Sequence, residues 1–194
     1  MKKLLYIFSI VIAIAVAFPA TAQNNQNISK KELRKLEKKW KKEAKAKAEK
    51  EEFEKIKKLV NDTSFVFIAN RLYGNNGILF NVNPLLNFLA VNKKEAIYQF
   101  AFQGLVGWNG VGGATFKGDL VKYEVKLAKN TNKASYIKMI FRPRGVGGLP
   151  YINITFFGKE ATMDITFDDG TRIRLDGELK SVNDANIFIG QSIF

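Results

Sequence analysis

Five carboxylates crowd the end of this 194-residue chain: Asp164, Asp168, Asp169, Asp176 and Glu178. Two carboxylates at the right separation can cleave a glycosidic bond as general acid and base, so a hydrolase of that kind is one reading. Local structure offers another explanation for three of them. Asp168 and Asp169 sit in Phe167-Asp-Asp-Gly-Thr171, where Asp-Gly suits a tight hairpin turn with positive φ. Asp164 alternates onto the wet face of "MDITF". The chain has no histidine and no cysteine. A Ser-His-Asp triad, histidine metal ligands, the usual neutral-pH proton shuttle, disulfides and thiol chemistry are therefore all absent. No metal and no cofactor is expected.

Two glycine-rich stretches, "GLVGWNGVGG" (Gly104 to Gly113) and "RPRGVGGLP" (Arg142 to Pro150), invite comparison with a phosphate cradle. Neither ends in Lys-Ser/Thr and neither opens a helix, so the donors and dipole that hold phosphate are missing, and both read as loops. Trp108 stands among glycines, where packing is hard to arrange. Beside Arg142 and Arg144, an exposed Trp108 would suit a glycan or an anionic ligand; the alternative is an indole that caps the core.

The elements that position these residues fall into two classes. Ser29 with Glu32 forms a capping box, and Ile28 with Leu33 a hydrophobic staple, so a helix is predicted over residues 30–60. No Gly or Pro interrupts it, and Glu37/Lys41, Glu43/Lys47, Glu51/Lys55 and Glu54/Lys58 support it at i,i+4 spacing. Between Lys30 and Lys58 it carries 14 basic and 7 acidic side chains. At about 100° per residue, Leu33, Leu36 and Trp40 share one side while Phe53, Ile56 and Val60 lie nearly opposite. The Phe53 group is expected to dock on the following domain. The Leu33/Leu36/Trp40 face is left for a partner, a membrane surface or a fold-back, and a solvated spacer is the alternative.

From residue 61 the pattern turns to short β-rich runs: "FVFIANRLY", "ILFNV", "LNFLAV", "AIYQFAF", "KYEVKLA", "YIKMIF", "YINITFF", "ATMDITF" and "TRIRLDGEL". Short turns between them predict an antiparallel meander, a curved sheet or partly open barrel, in a mainly β (α+β) domain over residues 61–194.

The first 22 residues combine Lys2 and Lys3, an apolar run from Leu4 to Phe18, and Ala20 and Ala22 in the small-residue positions of a cleavage site. They read as a signal peptide cut before Gln23, with residues 23–29 a polar linker. The run is shorter than the roughly 20 residues of a membrane span, and without cysteine there is no lipoprotein anchor. Export to the periplasm or beyond follows. Removal of Lys2 and Lys3 takes the net charge from +13 to +11, most of it on the helix. Outside the cytoplasm such a helix meets anionic envelope components or another envelope protein, with peripheral membrane contact, rather than nucleic acid.

"FVFIANRLYG", "ATFKGDLVKYEVKL" and "YINITFFGKEATMDITFDDGTRIRLDGEL" resemble, in order and spacing, a family known as domain of unknown function 4251, found in secreted proteins of Bacteroidetes. The resemblance covers about Ile56 to Leu179 and implies a signal peptide, a short helix and an antiparallel β domain, with no catalytic residues to carry over. Members often carry a Leu-Pro-Tyr-Phe-Gly-like turn where this chain reads "FAFQG", and the basic helix and the tail "VNDANIFIGQSIF" look like additions. The leading functional expectation is a non-enzymatic domain that binds or organises envelope material through the basic helix and glycine-rich loops. Its alternative is a carrier of a small apolar ligand inside the barrel, suggested by 16 phenylalanines. The carboxylate hydrolase comes third.

Overall fold

The computed structural model describes residues 29–74, 77–101 and 110–191. The chain falls into two units, 1–41 and 42–194, with the boundary inside the single described helix, α1 (Lys30–Asn61). Ser29 and Glu32 start that helix as expected. The Glu32 amide donates to Ser29 Oγ at 3.2 Å and the Ser29 amide donates to Glu32 Oε2 at 3.0 Å. In the first unit Leu33, Leu36 and Trp40 are exposed, Trp40 to 63%. In the second unit Phe53, Ile56 and Val60, spaced i, i+3 and i+7, are buried in the core of the β domain. No helix among the described residues is long and apolar enough to cross a membrane.

Nine strands follow: β1 (Ser64–Tyr73), β2 (Leu79–Asn81), β3 (Phe88–Asn92), β4 (Glu95–Ala101), β5 (Gly113–Lys126), β6 (Ser135–Pro143), β7 (Tyr151–Phe157), β8 (Glu160–Thr166) and β9 (Arg172–Lys180). From β3 to β9 each pairs with the next, always antiparallel, and β9 returns to β1 from Val66↔Lys180 to Tyr73↔Arg174. Eight strands thus form a closed barrel, while β2 hangs on the upper part of the β1 edge that β3 occupies lower down. The antiparallel meander is as expected, carried round to full closure.

Alternation explains which residues fill it. In β6, Ile137, Met139 and Phe141 are buried, while Tyr136, Lys138 and Arg142 are exposed. The same period in β7 and β8 sends Ile152, Ile154, Phe156, Met163 and Ile165 inward. Where β5 crosses β6 the wall needs glycine: a Cβ on Gly118 would lie 2.1 Å from the Arg142 carbonyl oxygen and 2.7 Å from the Phe141 ring.

Residues Phe65 to Ala69 of β1 are buried on both faces. The inner face meets the core. On the outer face Val66 and Ile68 pack with Phe88, and Ala185 and Ile187 of the C-terminal tail cover them. Gln99 fastens that tail: its Nε2 donates to the Phe188 carbonyl at 2.9 Å and its Oε1 accepts from the Gly190 amide at 2.8 Å. The tail, an addition in sequence terms, is part of the wall.

α1 closes one end of the barrel. The Tyr123 hydroxyl donates to the Val60 carbonyl at 2.6 Å, fixing the last turn of the helix against β5. The opposite end, the mouth, is bordered by the β6–β7 loop and the β8–β9 turn.

Candidate functional site

A cavity of about 350 Å³ lies just inside the mouth. Register pairs build its walls, with Tyr98 of β4 opposite Phe116 of β5 and Ile152 of β7 opposite Ile165 of β8. Phe141, Pro143 and Phe167 add further apolar surface, and Val146, Gly147 and Gly148 of the β6–β7 loop cross over it. The Tyr98 and Phe116 rings are stacked with centroids 6.4 Å apart, and Phe100 lies 5.7 Å from Tyr98 and 6.0 Å from Phe116. One wall is therefore aromatic and flat, the other aliphatic.

Tyr98 is only 5% exposed, and its hydroxyl takes no hydrogen-bond partner among the described residues. Burial pushes its phenol well above the ordinary value, so the group stays protonated and able both to donate and to accept.

The rim is acidic and held by the backbone. Asp168 Oδ2 accepts the Leu149 amide at 3.1 Å and so ties the β6–β7 loop to the β8–β9 turn. At Gly148 in that loop φ is +100°, and any side chain there would meet the same carboxylate. Asp169 Oδ1 accepts the Thr171 amide at 2.8 Å. That bond, with the Thr171 hydroxyl, holds the Asp169 carboxyl below its usual range and keeps it charged.

The other sequence-predicted groups do not gather here. Asp164 pairs with Arg174 at 2.7 Å on the outer wall. Asp176 accepts from Tyr73 at 2.7 Å, Thr162 at 2.8 Å and Arg71 at 3.3 Å. Glu178 bridges Lys180 at 2.7 Å and Lys159 at 3.8 Å. All five clustered carboxylates thus serve turns or ion pairs, and among the described residues no three His, Cys, Asp or Glu side chains are grouped to hold a metal. Arg144 is bound to Asp119 at 2.6 Å and Glu95 at 2.8 Å, which hold its guanidinium in the charged form. Neither it nor Arg142 lines the cavity. Trp108 and the cleavage positions Ala20, Ala22 and Gln23 lie outside the described residues. A hollow of about 410 Å³ on the outer wall contains Arg71, Lys159, Asp176 and Glu178, charges that are already paired with one another.

Sequence reasoning missed Tyr98 and Phe116. The available signal was period two in "AIYQFAF", which places Ala96, Tyr98 and Phe100 on one face, with a single polar atom in an otherwise apolar row.

No curated protein matches the chain. A crystal structure of a DUF4251 family protein from Bacteroides eggerthii DSM 20697 is similar over 74% of this chain and 96% of that one, at 26% identity and a TM-score of 0.58. The family profile, described as a domain of unknown function, matches residues 47–179, taking in the part of α1 that carries Phe53, Ile56 and Val60 as well as all nine strands but for the last residue of β9. On that match this chain belongs to the DUF4251 family.

Proposed function

We propose that this chain is an exported binding protein, not a catalyst, that holds one small apolar molecule inside the mouth of its barrel. The observation that carries the reading is the cavity of about 350 Å³ with an apolar lining that includes the Tyr98 phenol. An eight-stranded barrel has an interior just wide enough to be filled by side chains or to hold one small ligand. Here the helix end is filled and the mouth is not. Binding would draw on burial of apolar ligand surface, about 25 cal/mol per Å², with orientation set by the hydroxyl.

A titration with the neutral fluorophore N-phenyl-1-naphthylamine tests this. The wild-type chain should bind one equivalent with a blue-shifted, enhanced emission. Ile165→Phe, which places extra carbon in the empty space, should abolish binding while leaving the melting temperature unchanged or higher. Binding that survives Ile165→Phe in a folded protein sinks the reading.

A second reading, attachment to anionic envelope material, is favoured by one observation: Leu33, Leu36 and Trp40 are exposed on the strongly basic stretch of α1. Cosedimentation with anionic vesicles, lost in high salt and lost on deleting residues 29–50, would support it, whereas equal binding without those residues would reject it. The export on which both readings rest is checked by intact mass, which should place the first residue at Gln23.

A further inference from the structure

Resting on the cavity reading above, we infer that the ligand is an uncharged or cationic apolar molecule with one hydrogen-bonding group for the Tyr98 hydroxyl, and that carboxylate amphiphiles such as fatty acids are excluded.

Among the described residues, the lining includes two carboxylates, Asp168 and Asp169, and no cation. Both are anchored: Asp168 by the Leu149 amide and Asp169 by the Thr171 amide, so neither is free to swing away from an approaching anion. The Arg144 guanidinium, which follows Pro143 of the lining, is occupied by Asp119 and Glu95. A ligand carboxylate entering here would lose its hydration and gain no counter-charge, and two fixed negative charges would face it. A hydroxyl or carbonyl carries no charge to strip of water, and an ammonium, which does, meets the counter-charge of Asp168 and Asp169. Inside the cavity each finds one polar partner, Tyr98, 5% exposed and without a protein partner among the described residues. Burial keeps that phenol neutral, so it can donate to a carbonyl or accept from a hydroxyl or ammonium. The stacked Tyr98 and Phe116 rings offer a flat face to either kind of apolar body.

The experiment displaces N-phenyl-1-naphthylamine from the full chain at pH 7.5 with three probes of equal chain length: 1-octanol, octylammonium and octanoate. The expected result is that octanol and octylammonium compete while octanoate is at least tenfold weaker. Asp168→Asn with Asp169→Asn should narrow that gap by raising octanoate affinity and lowering octylammonium affinity. Tyr98→Phe should weaken octanol about fivefold, the worth of one hydrogen bond, and leave octane-like competitors unchanged. Octanoate competing as well as octanol overturns the inference while the cavity reading stands. An octanol affinity unchanged by Tyr98→Phe overturns the role given to the hydroxyl. Failure of the fluorophore itself to bind overturns the cavity reading, and this inference with it.

Discussion

At the helix end of the barrel the hydroxyl of Tyr123 reaches the Val60 carbonyl 2.6 Å away; at the mouth the hydroxyl of Tyr98 reaches nothing among the described residues. Both phenols lie on inner rows, Tyr98 buried and Tyr123 half-buried, and burial raises both above the ordinary tyrosine value. The difference is in what the chain supplies. At one end Phe53, Ile56 and Val60 of α1 fill the space and the helix brings a carbonyl with them. At the other, a glycine-rich loop passes over an empty volume of about 350 Å³ and brings no acceptor to Tyr98. A closed barrel does not by itself decide between core and cavity. The choice is made by what is laid across each end.

That contrast can be broken most forcefully at the helix end. Phe53→Ala should cost about 3–5 kcal/mol in denaturant unfolding, because a fully buried ring leaves a hole the wall cannot collapse into. Phe167→Ala at the half-buried edge of the mouth should cost much less, and equal losses would mean the two ends are packed alike.

The two tyrosines form the second comparison. Tyr123→Phe should destabilise by about 1 kcal/mol, since it removes one of two hydrogen bonds to the Val60 carbonyl and leaves only that from the Thr63 amide, whereas Tyr98→Phe should stay within about 0.5 kcal/mol of wild type. A matching loss at Tyr98 would show that its hydroxyl has a partner after all. Alkaline melts sharpen this further. The unfolded chain ionises its phenols near pH 10, before the folded one, so stability is intact below pH 10 and falls as pH climbs toward the raised folded-state values. Replacing both tyrosines by Phe should flatten that fall.

The smallest effect is expected from removing residues 29–50, which should leave a cooperative melt displaced by only a degree or two, because the buried positions of α1 begin at Phe53. Loss of the folded barrel in that truncation would show that the exposed Leu33, Leu36 and Trp40 face contributes to the core.

Much of the fold was legible because its signals are local. Ser29 and Glu32 start a helix by touching each other, Asp169 and Gly170 make a turn within four residues, and period two in the strands names the inner rows. Closure was not legible. β1 and β9 carry no marker of each other, and the buried Gln99 that latches the tail reads in sequence as one more polar residue in a strand. The site was legible only as chemistry excluded. Trp108 and the arginines drew notice by residue type, while Tyr98 becomes visible only when the register sets it beside Phe116 on a cavity that Ile165 also lines. The long β5 also exceeded the expected "KYEVKLA" run because Gly113 and Gly118, turn formers in isolation, are used for close approach within a strand.

The seam between β1 and β9 has a consequence for synthesis. Arg71 and Asp176, joined across it, are 105 residues apart in the chain. As the polypeptide emerges, β3 to β8 can zip together hairpin by hairpin, each closing a short loop, but the second edge of β1 waits for the last strand. During that interval the run Phe65-Val-Phe-Ile-Ala69 belongs to an unfinished edge, the kind of apolar template on which chains pair with their neighbours instead of themselves. Ring closure should therefore be the slow step of folding, and the step at which aggregation competes.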